Sequence, residues 1–296
     1  MIREFEDRDA DRVAELVRDF PWFVTAEHLR HRLRSRPARA HARSWVAEEE
    51  GEIVGWAQTQ FAWVTDRDDL ADVLVFVSPG RRREGIGSKL YELAAGHALE
   101  HGARELKSGA WEDDGRRFLL HRHYERMREE RFSALDPRTV DTSGLVLPDG
   151  FRLVTLAKLA GRERDLHALY AEVFADQPAD DGLTIEFDDW LTDTVGNPQL
   201  STEGSFVVLD GETPAALAWI QVSGKRAQHD LTGTARTYRR RGLARAAKLA
   251  TIRWCAEHDI ELLATGNDAT NVGMLAINDE LGFRPWITRQ TYVLRT

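Results

Sequence analysis

The sequence predicts a duplicated α/β fold, on three observations. Its 296 residues are about twice a typical domain of roughly 150, and a hydrophobic content of 42% supplies ordinary cores. The stretch "LDPRTVDTSGLVLPDGF", residues 135–151, holds Pro137, Gly144, Pro148 and Gly150 with no helical or alternating period, and it divides the chain nearly in half. The halves then repeat one another: Arg82, Gly85 and Gly87 recur as Arg239, Gly242 and Ala244, each pair 157 positions apart. An offset held without a gap argues for two copies of one unit, set at residues 1–140 and 150–296 with a linker at 141–149.

Each copy reads as helix, hairpin, strand, arginine loop, helix, strand, helix and strand. The chain opens on an acidic, mixed stretch. "RHRLRSRPARAHAR", residues 30–43, follows with six arginines and two histidines and reads as a solvated helix face ahead of the first strand. "WVAEEEGEIVGWAQ" from Trp45 and "FVVLDGETPAALAW" from Phe206 are each an apolar run, a turn with Gly-Glu, and a second apolar run, hence hairpins. "DVLVFV" is a strand by its β-branched content. The helices after the two arginine loops, "GSKLYELAAGHALEHGA" and "ARAAKLATIRWCAEHDI", space their apolar residues three and four apart. The second contains Cys255, the sole cysteine, so no intrachain disulfide can form and a reducing cytoplasm is expected. No run approaches the roughly 18 apolar residues of a membrane span. The net charge of -9 argues against nucleic-acid and anionic-membrane partners, and an acidic field suits a cationic small substrate. The nine tryptophans read mostly as core, with one or two left to wall an acceptor pocket.

The arginine loops carry the chemistry. Each lies between a strand and a helix, where unpaired N–H groups at a helix N-terminus converge on an anion. Gly85 and Gly87 let phosphate oxygens approach the backbone, and a flanking arginine adds charge-assisted hydrogen bonds. A P-loop needs Lys-Ser/Thr after its second glycine, whereas Ile86 and Gly87 follow Gly85. A dinucleotide fingerprint needs a glycine where Leu90 stands.

What is left, Arg-x-x-Gly-x-Gly/Ala between strand and helix, resembles the diphosphate signature of the GCN5-related N-acetyltransferase (GNAT) family. "VSPGRRREGIGSKL" matches with Val77, Pro79, Arg82, Gly85 and Gly87, and "TARTYRRRGLARAAKL" with Thr234, Arg239, Gly242 and Ala244, although Arg236 stands where proline is usual. "TGNDATNVGMLAINDELGFRPW" is similar to the family's asparagine, helix, Leu-Gly-Phe segment through Asn271, Leu281, Gly282 and Phe283; in the first copy His123 and Tyr124 hold the Gly-Phe positions. The resemblance implies two tandem acyl-CoA N-acyltransferase folds, each a mixed, mostly antiparallel sheet flanked by helices, in the layout of mycothiol synthase-like proteins.

It also implies acetyl-CoA as co-substrate, no metal, and a small-molecule or peptide amine as acceptor, in a monomer or homodimer. The fourth and fifth strands of each copy would splay around the pantetheine arm, bonded by the backbone of Val75 and Val77 or of Thr232 and Thr234. The diphosphate would lie on Arg82, Arg83, Glu84, Gly85, Ile86, Gly87 and Ser88, or on Arg239, Arg240, Arg241, Gly242, Leu243, Ala244 and Arg245, with Asn271 near the second site. Asp72, and Asp230 with His229, are the candidate bases, because the family often uses an acidic residue on the fourth strand. The family tyrosine that protonates the leaving sulfur is replaced by Asn278 and, in the first copy, by Leu119. A thiolate with a pKa near ~8.5 leaves with little acid help. The second copy, intact in its last third, is the expected catalytic one. An acetyl-CoA sensor without turnover is the alternative.

Overall fold

Alternation in "LADVLVFV" puts Ala71, Val73, Val75 and Val77 on one face of a strand and Asp72, Leu74 and Phe76 on the other. The first set joins the main core of its half, whereas Phe76 packs with the opposite, helix-covered cluster of Val13, Leu29, Val46 and Trp56. The computed structural model describes residues 1–21, 23–178 and 182–296. Its chain falls into two units, Met1–Glu130 with Thr288–Thr296, and Arg131–Ile287.

In the first unit, β1 (Ile2–Glu4), β2 (Arg43–Glu49), β3 (Glu52–Phe61) and β4 (Leu70–Val77) pair antiparallel in that order. α1 (Ala10–Leu16) and α2 (Ala26–Ser35) cover one face. α3 (Ile86–Glu100) covers the other with Ile86, Leu90, Ala94, Ala95 and Ala98, the three-and-four spacing of one helix face. β5 (Glu105–Ala110) is parallel to β4, α4 (Asp113–Leu120) follows it, and β6 (Glu125–Leu135) leaves the first unit after Glu130.

The second unit repeats the plan. β7 (Phe151–Thr155), β8 (Phe206–Asp210), β9 (Thr213–Ser223) and β10 (Arg226–Thr234) pair antiparallel. α5 (Glu163–Ala175) and α6 (Phe187–Trp190) precede β8, and α7 (Leu243–Glu257), β11 (Leu262–Asp268, parallel to β10) and α8 (Val272–Glu280) follow. The last strand, β12 (Arg284–Arg295), starts in the second unit and ends in the first, where Gln290–Arg295 pair antiparallel with β5.

Both expected hairpins form, and the short strands β1 and β7 ahead of the first helices were not foreseen. The units change over at Arg131, and the stretch 141–149 packs within the second unit: Leu145 and Leu147 join its cores, and Arg253 Nε donates to Thr142 Oγ1 at 3.2 Å. Among the described residues no helix is long and apolar enough to cross a membrane.

The basic run 30–43 is largely consumed by contacts inside the first unit. Arg30 bonds Asp11 at 2.6 Å, Arg36 bonds Gln60 at 2.9 Å, and Arg34 and Arg43 pair with Asp7 and Glu4.

Candidate active site

Both arginine loops fold alike because their sequences put left-handed backbone at the same two positions. Arg83 and Gly85 have φ of 69° and 83°, and their counterparts Arg240 and Gly242 have 62° and 76°. The glycine is the N-cap of α3 or α7, so a Cβ there would be strained, although nothing lies within 4 Å of where it would stand. A left-handed non-glycine beside it is the sort of backbone that persists at binding sites. Within the loops, Arg82 Nε donates to Val77 O at 3.3 Å and Arg239 Nε to Thr234 O at 3.4 Å, the same bond in both copies.

Each signature arginine also meets carboxylates. Arg82 Nη1 is 2.5 Å from Glu112 and 3.9 Å from Asp114. Arg239 pairs with Asp176, just past α5, and Asp176 also holds Arg236 at 2.7 Å. That pair is the structural reason for an arginine where the motif usually has proline.

Parallel pairing in both units stops early. β4 and β5 are partnered only from Leu70 to Asp72, and β10 and β11 only from Arg226 to Gln228, after which the strands diverge. In the first unit the divergence opens a cavity of about 580 Å³. It runs from Arg82, Arg83, Gly85, Gly87 and Ser88, past Val75 and Val77, to Phe20, Leu74, Phe76, Gly109 and Trp111. Seven of the sequence-derived residues thus meet around one space. Glu84 and Ile86 do not line it: Glu84 pairs with Arg81 at 2.9 Å, and Ile86 is buried in the core. In the second unit Leu243 and Ala244 are likewise buried, Arg245 bonds Glu280 at 2.7 Å, and the Arg241 guanidinium lies 5.7 Å from the Tyr238 ring.

Sequence reasoning missed Arg122. It lines the cavity, stacks 3.7 Å from the Phe118 ring centroid and donates to Ser88 Oγ at 2.9 Å, a second cation beside the Arg82–Ser88 loop. Its only sequence signal is a basic residue near the degenerate Gly-Phe positions. Trp111 is one tryptophan that does wall the space, while Trp190 and Trp219 are fully buried.

The candidate bases sit on the fourth strands but in different surroundings. Asp72 is half-buried on β4, and burial pushes its carboxyl up against the opposing pull of Arg289, Lys107, Arg128 and Arg32. Asp230, half-buried on β10, accepts from Gln221 Nε2 at 2.7 Å and from Tyr170 Oη at 3.4 Å. Burial first, and Asp193 second, raise its carboxyl to about 6, in the range suited to a base at neutral pH. β10 shifts register between His229 and Thr232, and His229 is separated from Asp230. The imidazole packs toward α7 and Phe283, 3.4 Å from Thr251 Oγ1, and burial with nearby Lys248 holds it well below its ordinary pKa. It does not share a site with Asp230.

Asn271 caps α8, accepting from Met274 N at 3.2 Å, and Asn278 donates to Asn267 at 2.7 Å. Leu119 is core.

Residues 11–124 match the acetyltransferase (GNAT) family. No curated protein matches the chain. Among solved structures the chain is similar to a tandem GNAT protein from the clavulanic acid biosynthesis pathway, at 20% identity and a TM-score of 0.77 over 100% of this chain and 98% of that one. It is similar also to a GCN5-related N-acetyltransferase from Sphaerobacter thermophilus, at 16% identity and a TM-score of 0.73 over 100% and 95%. A third, from Kribbella flavida, has 16% identity and a TM-score of 0.56 over 96% and 95%. At these identities the likeness is one of fold.

Proposed function

We propose that the chain, whose residues 11–124 match the GNAT acetyltransferase family, moves the acetyl group of acetyl-CoA onto a primary amine by direct attack, in the cleft of its first unit. The observation that carries this reading is the cavity of about 580 Å³ running from the Arg82–Ser88 loop to Leu74 and Phe76, which share a face of β4 with Asp72. A loop with open space over Gly85, free N–H groups at the α3 N-terminus and the cations Arg82 and Arg122 suits a diphosphate. Glu112 holds Arg82 in place until the diphosphate displaces it. The β4 backbone beyond Asp72 has no β5 partner and is the natural support for an extended pantetheine arm.

When bound, acetyl-CoA supplies a thioester carbonyl. The amine lone pair forms the C–N bond, the C–S bond breaks with its electron pair on sulfur, and the proton released from nitrogen goes to the Asp72 carboxylate. The backbone N–H groups of β4 along the gap are the donors for the oxyanion. The sequence pointed to the second copy as the catalytic one. We place the chemistry in the first, because there the loop and the strand gap meet in one cavity, lined by Leu74 and Phe76 from the face of β4 that also carries Asp72. Asp230, raised to about 6, favours the second unit as the alternative transfer site.

Calorimetric titration with acetyl-CoA of the parent, Gly85→Glu and Gly242→Glu, followed by thiol release across an amine panel, tests the reading. Two sites are expected in the parent and one in each variant, with turnover lost in Gly85→Glu. Turnover kept there and lost in Gly242→Glu would put the chemistry in the second unit.

A further inference from the structure

The cavity of the first unit does not stay on one side of its sheet. Along β4, Val75 and Val77 face α3 whereas Leu74 and Phe76 lie on the face covered by α1 and α2, and all four line the same space. It therefore passes through the gap that opens where β4 and β5 stop pairing, after Asp72 and Lys107.

The two ends differ in chemistry. At the arginine-loop end stand Arg82, Arg83 and Arg122, with Glu112 and Asp114 beside Arg82. At the far end the described residues that line the cavity are Phe20, Leu74, Phe76, Gly109 and Trp111, and none of these carries an ionisable group. The Phe20 ring meets Phe76 edge-on, 4.7 Å between centroids, and lies 6.1 Å from Trp111, so rings from three parts of the chain form one wall. Phe20, Leu74 and Phe76 are each only half-buried, while Val13, Val46 and Trp56, in the cluster against which Phe20 and Phe76 pack, are buried. Apolar surface left bare beside a cavity is surface that a ligand can cover.

The duplicate dispenses with this wall. At the 157-residue offset Phe76 becomes Gly233 and Trp111 becomes Asp268. A Cβ at Gly233 would overlap Val173 of α5, so there the helix lies where the first unit has a ring.

The wall is also larger than the transferred group needs, since an acetyl group has two carbons and the cofactor reading uses the loop and the Val75–Val77 face. We propose that the far end seats the acceptor, and that this acceptor is a primary amine on an apolar body. The inference rests on the acetyl-transfer reading above and names its acceptor class. Asp72 shares a face of β4 with Leu74 and Phe76, so the amine and its base stand on one side of the sheet. Apolar surroundings disfavour the ammonium form and present the acceptor with its lone pair free. A second charge on the acceptor would have to shed its water against the three rings.

The test is thiol release by the full chain with acetyl-CoA and a graded set of acceptors: phenylethylamine, hexylamine, ethylamine, an α,ω-diamine and an α-amino acid. Covering the rings predicts kcat/KM for the two apolar amines roughly 10–100-fold above ethylamine, expressed mainly in KM. In Phe20→Ala and Phe76→Ala the phenylethylamine-to-ethylamine ratio, which is independent of the fraction of folded enzyme, is expected to fall about 3–10-fold, and Phe76→Leu is expected to restore most of it. Acetyl-CoA titration checks that each variant is folded. No preference of the parent for the apolar amines, a preference for the diamine or the amino acid, or an unchanged ratio in both folded alanine variants would overturn the inference while leaving acetyl transfer intact. Faster release from hexanoyl-CoA than from acetyl-CoA, without selectivity among amines, would assign the far end to the acyl chain and overturn it likewise. No release with any acceptor would overturn the acetyl-transfer reading and this inference with it.

Discussion

Asp230 and Lys248 give the second unit opposite pH dependences, because burial disfavours the charged form of each. The Asp230 carboxyl is raised from 3.8 to about 6, so its contribution to stability is complete below about pH 4 and is lost as pH rises through 6. Asp230→Asn removes that slope: relative to the variant, the parent is expected to lose on the order of 3 kcal/mol between pH 4 and pH 7, read from urea unfolding at each pH. Lys248 is fully buried, with Nζ 3.3 Å from Thr265 Oγ1 and 4.9 Å from the Phe283 ring centroid, and burial lowers it to about 7. Its stabilising influence is complete above the ordinary lysine range and falls as pH drops toward 7. Lys248→Met is therefore expected to raise the melting temperature at pH 7 and to flatten the profile between pH 7 and 10. Neither setting was legible from the sequence. Asp230 was singled out as acidic on the fourth strand, but the groups that tune it, Tyr170, Asp193 and Gln221, come from other elements. The four cations around Asp72 are likewise scattered from Arg32 to Arg289.

The two loop-to-helix elements were the most legible part of the molecule, since their conformation is local: a left-handed arginine, a left-handed glycine at the N-cap, then an apolar helix face. Their carboxylate partners were not, because Glu112 lies beyond α3 and β5, and Asp176 lies beyond α5. These partners set the cost of binding an anion. A diphosphate in the second loop has to displace Asp176 from Arg239, so Asp176→Asn is expected to tighten acetyl-CoA at that site about 3–10-fold with little change in melting temperature, exposed ion pairs contributing little to stability. Titration in the Gly85→Glu background isolates the second site. Unchanged or weaker binding would mean that Asp176 orients Arg239 instead of competing for it.

At the scale of the whole molecule, composition put the division at 141–149, and the chain divides elsewhere because strand pairing ignores sequence distance. Gln290 pairs with Ala110, and no local pattern near either residue announces it. Tyr292 and Leu294 pack into the core of the first unit, so removal of 288–296 takes two apolar side chains from that core and bares an edge of β5. Such a truncation is expected to cost the first unit roughly 4 kcal/mol or more and to lower its thermal transition alone, leaving that of 131–287 in place. A single transition that moves as one would refute this. The returning strand also fixes the order of events at the ribosome. Synthesis runs from the N-terminus at roughly 5–20 residues per second, so the first unit, finished in sequence at Glu130 apart from its last strand, waits on the order of 10–30 s for Gln290–Arg295. The half made first is thus the half completed last, and until then its nascent β5 edge is one for chaperones to shield.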